Sequence, residues 1–192
     1  MKALILSFCL ICNANFIEAD FKPLTSWEIR REKMSDDQRE TIDRFLEKIS
    51  QIESSGGKNF DHAEIQHGMH KGHRAIGSYG LMPNTVREVI NRMRMEGTIN
   101  PQIQSLRDLP PDRMKKELEA NPLHQRELAE FLANRVLEKQ QGDQQKAAYA
   151  WEQGHNLKPE QIEKRNYREA DYVKKFIQLQ NMLNQKGGMA NE

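Results

Sequence analysis

The sequence predicts a mostly helical single domain with a cleft and at most a small β-hairpin. Three observations carry this: apolar residues recur at helical spacing over most of the 192 residues, no segment alternates as a strand does, and one long glycine-rich stretch has no period at all. A chain of this length holds one domain with a sizeable core and leaves little room for a second.

Residues 1–19 differ in composition from the remainder of the chain. Met1-Lys2, the apolar run Ala3 to Cys12 and a polar stretch closing on Ala14 or Ala19 are the parts of a secretory signal peptide, and the run is too short to span a bilayer. The expectation is an exported protein, periplasmic or secreted, with residues 20–192 as the mature domain and no stable membrane anchor. Both cysteines, Cys9 and Cys12, fall in that leader, so the mature chain carries no disulfide and no Cys nucleophile. Twenty-nine basic against 28 acidic residues give a formal net charge of +1. Such a balance argues against nucleic acid or a membrane surface as a partner. A monomer is expected.

After the polar lead-in FKPLTSWEIRREK, Ser35 with Gln38 forms a capping-box pattern, and Ile42, Phe45, Leu46, Ile49 and Ile52 come next on one helical face that ends at Glu53. Residues 54–83 are the aperiodic, glycine-rich stretch. It is too long for a plain connector and is expected to line a cleft, with a short hairpin over 75–81. Asn84 is placed as the cap of a helix carrying Val86, Val89, Ile90 and Met93, stopped by Gly97. Further helices are expected near 101–107, over 111–120 behind Pro110-Pro111, and over about 123–140. Asp143 caps the next, which contains Ala147, Ala148, Tyr149 and Trp151 and ends at Gly154. A last helix over about 168–185 puts Tyr172, Val173, Phe176, Ile177, Leu179, Met182 and Leu183 at core spacing, and the tail from Gly187 frays.

Glu53 is the candidate for chemistry. A carboxyl at a helix C-terminus meets the negative end of the dipole, which raises its pKa, and desolvation would raise it further, as a general acid requires. Gly56 and Gly57 beside it suit either a close backbone approach to a ligand or an ordinary tight turn.

Three segments in order, Glu53-Ser54-Ser55-Gly56-Gly57, Gly77-Ser78-Tyr79-Gly80-Leu81-Met82-Pro83 and Ala147-Ala148-Tyr149-Ala150-Trp151-Glu152-Gln153-Gly154, resemble the motif set of the soluble lytic transglycosylases, which are similar in turn to goose-type lysozymes. The resemblance spans about residues 40–156 and implies an α+β, lysozyme-like fold and a peptidoglycan-cleaving glycosidase acting between N-acetylmuramic acid and N-acetylglucosamine. It implies Glu53 as the single catalytic acid and Tyr149 as the tyrosine that hydrogen-bonds it. Ser54 is implied to hold the geometry, and Ser78, Tyr79, Gly80, Leu81 and Met82 to make a wall of the saccharide groove. Pro83 departs from the glutamine usual there, and the segment between Glu53 and Gly80 is longer than usual.

That longer segment leaves two alternatives open. Asp61 or Glu64, if either faces the cleft, would be a second carboxylate that positions water, making the enzyme a hydrolytic muramidase or one that favours de-N-acetylated glycan. A non-catalytic wall-binding or envelope protein is the alternative of another class. His62, His67, His70 and His73 have poor ligand spacing and no Cys or helical carboxylate partner, so neither metal nor other cofactor is expected.

Overall fold

A computed structural model describes residues 26–66 and 72–188. The expected leader with Cys9 and Cys12, His67 and His70 of the histidine stretch, and the tail beyond Gly188 lie outside the described residues. Of the described residues most are helical, with two isolated antiparallel bridges in place of a sheet. No helix among them is long and apolar enough to cross a membrane.

The polar lead-in folds as a short helix, α1 (Ser26–Glu32), which its polar composition does not predict. Its anchor is Trp27, buried edge-on against Phe131 with its indole N–H donated to Glu130 at 2.9 Å. Next comes α2 (Asp36–Ser54), opened by the Ser35–Gln38 capping box in both of its hydrogen bonds. Ile42, Phe45, Leu46 and Ile49 are buried along it. Its end is set by Ser55, which turns into the left-handed region at φ 53°.

The aperiodic stretch then crosses to the bridge Ile76↔Leu81, which closes over a 3₁₀ turn, Gly77–Tyr79. Helix α3 (Pro83–Met95) comes directly after it. Its N-cap is Met82, not the expected Asn84, because Pro83 with its fixed φ and missing N–H takes the first helical position. Helix α4 (Pro101–Ser105) is capped by Asn100 and runs into a 3₁₀ turn, Leu106–Asp108. Then come α5 (Pro111–Ala120) and the central α6 (Pro122–Lys139), capped by Asn121. Burial goes all round α6, where Leu128, Ala129, Phe131, Leu132, Ala133, Val136 and Leu137 are all withdrawn from water as the other helices pack about it.

Asp143 caps α7 (Gln144–Gln153) by accepting the Gln145 and Lys146 amide hydrogens, and Gly154 ends it. A short α8 (Pro159–Glu163) and a 3₁₀ turn, Tyr167–Glu169, lead to α9 (Asp171–Gly188), which therefore starts later and ends later than expected. Tyr172, Val173 and Phe176 of α9 are buried, whereas Met182 is exposed, since α9 outruns the core it packs on.

Candidate active site

Glu53 occupies the last turn of α2, where the chain is about to leave the helix. Three elements distant in sequence close around its carboxyl. From α9, the Tyr172 hydroxyl donates to Glu53 Oε1 at 2.8 Å. On the other oxygen, Gly80 approaches so closely that a Cβ at position 80 would stand 2.2 Å from Oε2. Gly80 also sits at φ 63°, so the position excludes a side chain on two grounds. The third element is α7, whose Glu152 brings a negative charge near enough to act on Glu53.

Burial pushes the Glu53 pKa above the ordinary carboxylate value, and the charge of Glu152 pushes the same way. The Tyr172 hydrogen bond and the charge of His62 oppose that shift, and burial wins. Tyr172 is itself pushed well above the usual phenol range, by its own burial and then by the carboxylate it faces. It stays protonated and acts as a donor.

The turn that carries Gly80 is held from below. Ser54, buried at the end of α2, lies 2.9 Å from the Ser78 carbonyl and 3.0 Å from the Ser50 carbonyl, and accepts the Gly57 amide hydrogen at 2.8 Å. One hydroxyl thus ties the helix end, the glycine turn and the wall together. Gln125 of α6 accepts the Ser78 amide hydrogen at 2.8 Å and donates to the Leu118 carbonyl. It lies where a Gly77 side chain would begin, so Gly77, at φ 64°, is the second glycine the wall requires. His62 reaches the Gly77 carbonyl at 2.9 Å, and because a carbonyl only accepts, Nε2 carries the hydrogen. Tyr79 is fastened at both ends: its carbonyl accepts from Trp151 Nε1 at 3.2 Å and its hydroxyl accepts from Arg126 at 3.3 Å. Arg126 also bonds Glu130 and Asp43, so the wall is braced through to α1 and α2.

Glu53 opens on a cleft of ≈ 700 Å³. Gly80, Leu81 and Met82 line one side and Trp151, Glu152 and Gln153 the other. The half-buried Trp151 supplies the apolar ring face on which a sugar ring can stack, its indole N–H already satisfied by Tyr79.

Several sequence expectations need correction. The hydroxyl on Glu53 belongs to Tyr172, not to Tyr149. Tyr149 belongs to the buried run Ala147 to Ala150 of α7, and its ring packs edge-on to Tyr167 at 6.2 Å. Asp61 and Glu64 are exposed and do not line the cleft. Asp61 pairs with Arg74 at 3.6 Å and Glu64 bridges Arg74 through the backbone, while His62 and Ile65 of the same segment are the half-buried ones. The carboxylates that do line the cleft with Glu53 are Glu88 and Glu152. Of the expected groove residues, Ser54, Ser78 and Tyr79 brace the wall without lining the cleft.

Tyr172 and Trp151 escape sequence reasoning as site residues because each sits among apolar residues that read as core, and Glu152 because an exposed helical acid reads as solvated surface. A faint signal exists for Tyr172, since a tyrosine on a buried stripe needs a partner for its hydroxyl. No group of three His, Cys, Asp or Glu side chains among the described residues is placed to hold a metal ion. No protein-family model, no curated protein and no solved structure matches the chain.

Proposed function

We propose that the protein is an exported, lysozyme-like glycosidase that cleaves peptidoglycan strands as a lytic transglycosylase, with Glu53 as its one catalytic carboxyl. The observation that carries this reading is the state of Glu53: a carboxyl held toward protonation by burial, with a tyrosine donor on one oxygen and a cleft before it. The ordered motifs around Glu53, Gly80 and Trp151 and the leader pattern of residues 1–19 add to it.

Protonated Glu53 gives its hydrogen to the oxygen linking N-acetylmuramic acid to N-acetylglucosamine, and the C1–O bond breaks. The carboxylate left behind is stabilised by the Tyr172 hydroxyl without a second formal charge. It then takes the hydrogen of the muramyl C6 hydroxyl as O6 bonds to C1, which closes a 1,6-anhydro ring and restores the acid. No water is consumed.

A second reading, hydrolysis by a muramidase, is favoured by Glu152, a carboxylate lining the same cleft that can orient a water. Mass analysis of muropeptides released from purified sacculi, intact and chemically deacetylated, separates the two. The anhydro product is lighter than the hydrolytic product by one water. Glu53→Gln should lower release at least about 100-fold, the usual range for a general acid. Clearing of sacculi by Glu53→Gln at the wild-type rate would overturn Glu53 as the catalytic acid, and failure of the wild-type protein to clear them would leave a wall-binding protein without catalysis.

A further inference from the structure

We propose that the cleft continues into a cationic pocket, formed by Arg92, Arg135 and Lys139, that binds a carboxylate of the peptide branch on the glycan strand. This rests on the peptidoglycan reading and extends it to the substituents of the sugar.

The pocket measures ≈ 440 Å³ and shares Glu88, Leu132, His155 and Asn156 with the cleft, so the two form one continuous depression. Its far side is basic. Three cations line it against two carboxylates, Glu88 and Glu138, and those carboxylates are already occupied. Glu88 accepts from Arg92 at 3.0 Å, from Asn156 at 3.1 Å and faces His155 at 3.0 Å. Glu138 accepts from Asn134 at 2.8 Å. Arg135 bonds Glu96, but that carboxylate is shared with Arg30.

Lys139 is the cation whose bonding is least complete. Its ammonium donates to the Asn156 backbone carbonyl, a neutral acceptor, and among the described residues no carboxylate lies within ion-pair distance of it. Burial, and then the charges of Arg92, Arg135 and Lys158 against the smaller opposing charge of Glu88, hold its pKa below the usual lysine value, so beside the burial its neighbours leave it short of negative charge. An incoming carboxylate would relieve that shortage through charge-assisted hydrogen bonds. A glycan strand lying along Trp151 toward His155 would present its substituents here, and peptide branches are the carboxylate-bearing ones.

The test is calorimetric titration of the full chain carrying Glu53→Gln, which blocks turnover, with two probes: a disaccharide tetrapeptide, and the same compound with its carboxyls amidated. The intact probe should bind about tenfold tighter, as one charge-assisted contact predicts. Adding Lys139→Gln should erase the difference and Lys139→Arg should keep it, with thermal melts confirming that both variants fold. Equal affinity for the two probes, or a ratio untouched by Lys139→Gln, overturns the pocket. Failure of the enzymatic reading looks different: wild-type protein leaves sacculi uncut while the probes are still told apart. Absence of binding to either probe overturns both.

Discussion

Tyr172 donates its hydroxyl hydrogen to Glu53 at 2.8 Å across a sequence separation of 119 residues. The bond joins the end of α2 to the start of α9 and does so where both groups are largely withdrawn from water, which strengthens it. It also works against the burial that raises the Glu53 pKa, because it favours the ionised carboxyl.

Tyr172→Phe should therefore change activity in two ways. Loss of a hydrogen bond to a charged group amounts to about 1.5–3 kcal/mol, or roughly 10- to 100-fold in kcat/KM if it is made to the carboxylate formed in the first step. With the donor gone, the Glu53 pKa rises further, so the alkaline limb of the pH–rate profile should move to higher pH. A profile that falls in amplitude without moving would show that the hydroxyl does not act on the Glu53 proton.

Gly80→Ala should remove activity and cost stability together. The added methyl would overlap the Glu53 carboxyl and would sit in a left-handed conformation, a strain of about 1–2 kcal/mol before the clash is counted. Urea denaturation and a turbidity assay on the same preparation measure both effects. Retention of wild-type activity would mean that Glu53 can vacate its position without consequence.

Ser54→Ala should loosen the wall. It strands the Gly57 amide and the Ser78 carbonyl in a buried place, at a cost of about 1–3 kcal/mol. In the same two assays activity should fall less than for Gly80→Ala, since Ser54 does not line the cleft.

Glu127 of α6 is buried, and one of its carboxyl oxygens has no hydrogen-bond partner. Burial first, then the charges of Glu28 and Glu130, push its pKa up to about 7. Because the folded state binds this proton more tightly than the unfolded chain, stability falls as pH rises from the ordinary carboxylate value to about 7. Glu127→Gln should accordingly stabilise the protein at pH 8, by about 2 kcal/mol, and give little at pH 4. Thermal melts at the two pH values check this, and an equal shift at both would sink it.

The legible parts of the chain were the local ones. The Ser35–Gln38 box, the Asp143 cap, the stop at Gly154 and the apolar faces of α2 and α3 are decided by groups within a turn or two of one another. Glu53 was legible for the same reason, as an acid where a helix must end. Helix α1 was not, because its one strong anchor, Trp27, acts through Phe131 and Glu130, about a hundred residues away.

Neighbouring residues alone specify a helical domain with Glu53 at the mouth of a glycine-rich wall, since helical period, capping and turn chemistry are short-range properties. Long-range packing chose which tyrosine meets Glu53, turned Asp61 and Glu64 away, and turned Trp151 and Glu152 in. Periodicity says that a side chain leaves the water; it does not say which other buried group it will find there. Tyr149 and Tyr172 are equally apolar-stripe tyrosines in sequence, and the packing of α7 and α9 alone gives one of them Tyr167 and the other the carboxyl.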